Sequence, residues 1–444
     1  MRLRVSVASS VMLGLLLYVS LAACSAGRVP APAFSSTAGP AAAAATPTIV
    51  TPTGPITITY WETDTDDADV LLDELAAEFM KANPGVTVKR VHYSYDDLRN
   101  EFRSQSLNGH PPELVRAPGE FAGPFSELGI VHPLDAVFGK DFLDQYLPGA
   151  LAGATTKGKL WGIPDNYGNH LMLLYNKALV KDVPTNTDAW IEQLKTLTDA
   201  GNGQYGLSYP LVESYWLIPW LSGFGGWPMD AADRPALDTV EMANALQFLY
   251  ALKTTQRVVP EKADYDAAFD IFRQGKAAYI IDGMWNLDRY AGLGIDVGVA
   301  PLPVVSATGL RPAPMATGRY WFISEKANGA ALDAAARFTE FMTATDAQSQ
   351  WLAKTKRLPS DKEAGKSDLI TADPILSGAM AQLRVARGVP PSLDMACAWS
   401  GISAHLSEVM TGARTPENAA AAMQADADTC VDDMGGDPTP TPVN

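Results

Sequence analysis

Chemistry-bearing residues in this 444-residue chain gather where apolar strands end. Trp285 follows the short apolar run Ala278 to Ile281 after a break at Asp282-Gly283, which is where open α/β sheets place ligand contacts. A core aromatic fits the same residues, because Trp is highly buried on average. Trp61, Asp64 and Asp66 follow the alternating run Ile56, Ile58, Tyr60 in a similar way, with Asp66 also placed to cap the next helix. Arg116 and Glu120 come after a third short strand, Pro112 to Val115, and Arg319 stands beside Tyr320 and Trp321. Guanidinium and carboxylate groups of this kind hold hydroxyls through charge-assisted hydrogen bonds. A solvent-exposed strand end, or a structural ion pair for Arg319, is the plainer alternative. Reaction motifs are missing. The histidines His92, His110, His132, His170 and His405 have no metal spacing, and HExxH, GxSxG, Walker and CxxC patterns are absent. Gly201 to Gly206 matches GxGxxG, but it follows a helix and leads into a strand, the reverse of the phosphate-binding context. No metal and no cofactor is expected.

With 47% hydrophobic and 19% charged residues the chain buries a sizeable core in about two or three domains. The formal net charge of -16 excludes a sequence-independent nucleic-acid binder and suits a neutral or cationic ligand. Arg2 and Arg4, the apolar run Val5 to Val19 and Leu21-Ala22-Ala23-Cys24 make residues 1–24 a signal peptide. Its end resembles the bacterial lipobox, whose cysteine becomes the lipid-modified first residue. Residues 25–55, rich in Ala, Pro, Thr and Ser, form a disordered or semi-extended tether. Cys397 and Cys430 remain. In an oxidising exterior they pair, closing a loop worth roughly 3 to 4 kcal/mol, or else stay as two buried thiols.

The elements that position these residues begin as a β-α-β unit. A strand over Ile56 to Tyr60 precedes a helix with the face Leu72, Leu75, Ala76, Phe79 and Met80, which Asn83-Pro84-Gly85 stops before Val86, Val88 and Val91. A helix over Asp96 to Leu107 and the third strand extend this into a doubly wound sheet. Ahead of Trp285, Ala267, Ala268, Ile271 and Phe272 recur at helical spacing up to Gly275.

The order strand, helix ending in ANPGV, strand, helix, then PPELV resembles extracellular solute-binding proteins of the maltose-binding type. So do Gly158 to Pro164 followed by Leu173 to Lys177, the segment from Ala268 to Tyr290, Trp321 to Ser324 with the helix Leu332 to Met342, and Pro390 to Trp399 followed by Gly412 to Glu417. The resemblance covers about Ile56 to Cys430. It implies a two-lobe periplasmic-binding-protein (type II, Venus-flytrap) α/β fold with doubly wound sheets and a hinge. The lobes are 56–168 with 320–358, and 169–319 with 359–431, and 432–444 is a disordered tail. Crossings fall near Tyr167 to His170, Gly318 to Trp321 and Leu358 to Pro359.

The resemblance also implies a ligand class. A sugar needs flat rings to stack on and short polar groups around them. Trp285, Trp399 and the run Glu213, Tyr215, Trp216 match the family's stacking and carboxylate positions, with Asn166 and Asn169 at the crossover. Where maltose binders carry a Trp and an Asp-Arg pair, this chain has Arg116 and Glu120, which puts maltose itself in doubt. The implied molecule is a non-catalytic, monomeric, lipid-anchored protein on the extracytoplasmic face of a bacterial membrane. It captures a disaccharide or oligosaccharide and hands it to the permease subunits of an ATP-binding-cassette (ABC) importer. A secreted carbohydrate-active enzyme with two distant acids, or a binder of a non-sugar solute, is the alternative.

Overall fold

The computed structural model describes residues 54–435 apart from 66, 262 and 263. The signal peptide, Cys24, nearly all of the tether, Asp66 and the tail from 436 lie outside the described residues.

Strand β1 (Ile56–Glu62) runs into the helix Asp67–Ala82 and returns as β2 (Val86–His92). Ile58 and Tyr60 of β1 and Leu71, Leu75 and Phe79 of the helix are buried, since periods of two and 3.6 turn one face of each toward the other. After the helix Tyr95–Asn108, capped by Ser94, the chain forms β3 (Leu114–Pro118) and, further on, the short β4 (Ile163–Pro164). A second group follows: β5 (Leu171–Asn176), β6 (Tyr205–Ser208), β7 (Ala277–Gly283) and β8 (Val297–Ala300). Then β9 (Arg319–Ile323) goes back to the first sheet.

The first sheet has the order β2-β1-β3-β9-β4 and the second β8-β5-β7-β6. In the first, β1 pairs in parallel with β2 and β3, and β9 lies antiparallel to β3 with Trp321 opposite Arg116. That pairing carries β3 on to Pro118, so Arg116 sits within the strand rather than beyond its end. Helices pack on both sheets.

β7 is the best-buried strand of the second sheet, with all seven residues covered. The helix before it, Tyr265–Arg273, is capped by the Asp264 side chain on the Ala267 amide, and Gly275 ends it at φ +70°. β7 reaches Gly283, two residues past the expected end, because Asp282 and Gly283 still pair with Met172 and Leu171 of β5. The break therefore comes in the 3₁₀ turn Met284–Asn286, which carries Trp285.

Segments joining the sheets are stitched to one another by backbone hydrogen bonds. The Tyr167 amide donates to the Leu358 carbonyl at 2.9 Å, Gly168 and Thr317 exchange bonds at 2.8 and 2.9 Å, and Asp165 donates to Arg319 at 3.0 Å. Gly318 is required here: a Cβ would meet the Asn166 carbonyl oxygen at 2.1 Å. Beyond the sheets, the disulfide Cys397–Cys430 joins the helices Met395–Thr411 and Pro416–Gly435. The second helix includes residues 432–435, which the sequence alone assigns to the tail. Among the described residues no helix is long and apolar enough to cross a membrane.

Candidate functional site

The turn after β7 puts Trp285 at the surface, 38% exposed, unlike the fully buried Trp190, Trp220 and Trp321. Its ring is one end of an aromatic row. Trp216 meets Trp285 edge-on at 6.4 Å between centroids, Tyr215 lies 5.8 Å from Trp216, and Trp399 lies 6.4 Å from Tyr215. Tyr215 and Trp216 come from the first turn of the helix Ser214–Gly223, and Trp399 from the helix Met395–Thr411. Both tyrosine and tryptophan are pinned at their polar ends. The Tyr215 hydroxyl donates to the carbonyls of Met315 at 2.8 Å and Asn169 at 3.0 Å, and the Trp216 indole donates to Ile281 at 2.7 Å. Tyr215 and Trp399 are half-buried and Trp216 nearly buried, so each ring is held while Tyr215, Trp285 and Trp399 keep some open surface. Burial pushes the Tyr215 hydroxyl far above its ordinary range, which leaves it a neutral donor.

Beside Trp285 opens a cavity of about 910 Å³. The crossing segments supply one wall through Asn166, Asn169 and Arg319, and Lys356 and Arg357 add two further cations. Behind this wall Asp64 and Asp165 hold three arginines. Arg116, wholly buried, binds Asp64 through Nη1 and Asp165 through Nη2 at 3.0 Å, and its guanidinium lies 4.8 Å from the Trp351 ring. Arg357 donates to Asp64 at 2.7 Å, whereas the Nε of Arg319 approaches it only to 3.8 Å. Burial alone would raise the Asp64 carboxyl, but Arg116, Arg357 and Arg319 outweigh it and hold it at about 2. Desolvation draws the Arg319 guanidinium below its ordinary value.

Of the residues expected from sequence, the structure brings Asn166, Asn169, Trp285 and Arg319 to the cavity wall and Tyr215, Trp216 and Trp399 into the row joined to it. Glu213 is half-buried at the N-cap of the helix carrying Tyr215, and Glu120 is exposed and accepts from Tyr95 at 3.1 Å. Trp61 is placed differently. Its ring is 8% exposed and packed 4.6 Å from Tyr93 and 6.4 Å from Phe102, inside the first core. Arg116 and Asp64 likewise lie behind the wall as its electrostatic frame. Sequence reasoning missed Arg357, Asp165, Tyr265 and Asn286. Asp165 directly follows the Gly158 to Pro164 motif, which was its one signal; Arg357 had none. Glu62, Asp69 and His92 also cluster, but Arg90 already binds both carboxylates at 3.0 and 2.7 Å, so the group is an ion-pair network.

Residues 74–378 match the family described as bacterial extracellular solute-binding protein. The chain belongs to that family. Among curated relatives, a maltotriose-binding protein of Pyrococcus abyssi is 27% identical over 77% of this chain and 74% of its own length. Among solved structures, the maltose/maltodextrin-binding domain MalE of Bdellovibrio bacteriovorus, bound to maltotriose, is 30% identical. The match covers 85% of this chain and all of that one, with a TM-score of 0.62. An extracellular solute-binding protein of Staphylococcus aureus in complex with maltose has 20% identity and a TM-score of 0.77 over 86% of this chain and 99% of that one, a likeness of fold. All three are named as binding proteins and none as an enzyme.

Proposed function

We propose that this protein captures a carbohydrate, a disaccharide or oligosaccharide, between two lobes and delivers it to an ABC importer while anchored through a lipid on Cys24. The lobes are 56–168 with 320–358, and 169–319 with 359–431. The observation that carries this reading is the row Trp399, Tyr215, Trp216, Trp285, which ends at an open cavity edged by Asn166, Asn169 and Arg319. Rings with one free face stack on the C–H faces of sugar rings, and amides and guanidinium groups bond the hydroxyls around them. Glu213, at the N-cap of the helix that carries Tyr215, and the exposed Glu120 are the further acceptors of this reading. A ligand touching groups on both lobes favours the closed arrangement by its differential contacts. The relatives named for maltotriose support the sugar class.

Calorimetry with maltooligosaccharides and other oligosaccharides tests this. Saturable one-to-one binding without product is expected. Recovery of cleaved sugar, or no heat with any sugar of the panel, overturns the reading. For the anchor, Cys24→Ala releases the protein from membranes without changing affinity, because anchor and clamp are separated by the tether. Retention of that variant in the membrane fraction rejects the lipid anchor.

A further inference from the structure

A chain of hydrogen bonds runs from the buried end of β7 out to the exposed indole nitrogen of Trp285. Asp282 is fully buried, and its carboxylate accepts from the Tyr290 hydroxyl at 2.5 Å, from Asn286 Nδ2 at 2.8 Å and from the Gly283 amide at 2.8 Å. Asn286, 1% exposed, donates through the same Nδ2 to the Tyr265 hydroxyl at 2.5 Å, while its Oδ1 accepts from Arg289 at 2.9 Å. The Tyr265 oxygen also accepts from Trp285 Nε1 at 3.2 Å.

Donor and acceptor roles in this chain are fixed by chemistry. A guanidinium only donates, so Arg289 fixes the Asn286 amide with Oδ1 toward it, in one orientation alone. Its NH₂ is turned toward Asp282 and Tyr265. The Tyr265 oxygen is thereby the acceptor for both Asn286 and Trp285. Beneath the ring, Gly283 leaves no room for a side chain: a Cβ there would lie 2.0 Å from Trp285 Cζ3 and 2.2 Å from Cη2. The six-membered part of the indole therefore rests on bare backbone, which occupies one face. Trp216 closes on the ring edge-on, at 85° between planes. Tyr265 packs on Trp216 in turn, at 5.2 Å.

We propose that Asp282, Asn286 and Tyr265 are positioning residues that fix the plane of Trp285, with Gly283 as its seat, so that the remaining face of the indole meets the ligand without loss of rotamer freedom on binding. This rests on the carbohydrate reading for its ligand but not for its geometry. An exposed Trp free to turn would lose that freedom on each capture, whereas a ring already bonded at Nε1 and seated on Gly283 has lost it on folding.

The test uses the whole mature chain and maltotriose, with Tyr265→Phe as the least invasive variant and Gly283→Ala as an independent one. Tyr265→Phe is expected to raise Kd about three- to tenfold, the range of one hydrogen bond's net contribution, and to lower the melting temperature by no more than Tyr146→Phe does, since each removes the partner of one buried hydrogen-bonding group. In a Trp285→Ala background the same substitution should leave Kd unchanged, because it acts through the ring. Tyr146→Phe, which removes the buried bond to Thr343 at 2.7 Å in the other sheet's core, is the control that lowers stability without raising Kd. Equal Kd for Tyr265→Phe, Gly283→Ala and wild type, or a Tyr265→Phe effect that persists without Trp285, overturns the proposal and leaves the carbohydrate reading standing. If wild type binds no sugar, the carbohydrate reading fails, and the relay is judged on emission of the free protein. Tyr265→Phe must then change Trp emission in the wild-type background but not in Trp285→Phe; no change in either overturns it.

Discussion

Replacing Trp285 by Ala separates a ligand-stacking ring from a core ring. Removal of a fully buried Trp costs about 3–5 kcal/mol through lost contacts and the cavity left behind. Trp285 keeps 38% of its surface exposed, and its neighbours at the cavity edge can relax, so about 1–2 kcal/mol of folding stability is expected to go. In a domain of this size that lowers the melting temperature by only a few degrees. Ligand binding suffers more. Truncating a central aromatic anchor costs about 2 kcal/mol or more, a thirtyfold rise in Kd. Trp190→Ala supplies the opposite signature: that ring is 0% exposed and stacked 5.9 Å from Trp220, so the variant should lose about 3–5 kcal/mol and, where folded, bind sugar with unchanged Kd. Thermal melts with and without sugar, calorimetry, and the ligand-dependent change in Trp emission read all three quantities. A Trp285→Ala protein that melts as low as Trp190→Ala yet binds with wild-type affinity would refute the placement of Trp285 in the site.

Three other outcomes follow from the geometry. Arg116→Met leaves Asp64 and Asp165 buried with less counter-charge, so denaturant unfolding should show a loss of about 3–5 kcal/mol; a loss below about 1 kcal/mol would mean that Arg357 and Arg319 suffice. His170 is buried with Nε2 donating to Ala379 at 2.9 Å and Nδ1 without a partner, and burial lowers its pKa from 6.5 to about 4. The unfolded chain therefore binds the extra proton first, and stability falls as pH drops from about 6.5 to about 4, by roughly 3 kcal/mol from this residue. His170→Gln should flatten that part of the stability profile, and an unaltered slope would reject the assignment. Reducing Cys397–Cys430, which are 33 residues apart, should cost about 3–4 kcal/mol without changing Kd for sugar; a Kd change would place Trp399 under the control of the disulfide.

Local pattern in the sequence was enough for the α/β elements and for the helix and strand that lead to Trp285. The spacing of Ala268, Ile271 and Phe272, Gly275 at positive φ and the apolar run into Ile281 are short-range effects, decided by backbone sterics and by which faces must be buried. Ends of strands were less legible, since β3 and β7 are prolonged by partners far along the chain, β9 and β5. The site divides along the same line. In the sequence Trp61 and Trp285 both come at the end of an apolar run and carry the same local signal, yet Trp61 lies within β1 with Tyr93 and Phe102 closed over its ring, while Trp285 rests on Gly283 and faces open space. Arg116 and Glu120 stood together as possible hydroxyl grips. Only the fold buries the first between Asp64 and Asp165 and leaves the second exposed, because whether a charge can stay uncovered depends on partners that come from 52 and 49 residues away, and on Arg357, 293 residues from Asp64. Residue type told which groups could stack or bond; tertiary packing decided which of them kept a free face.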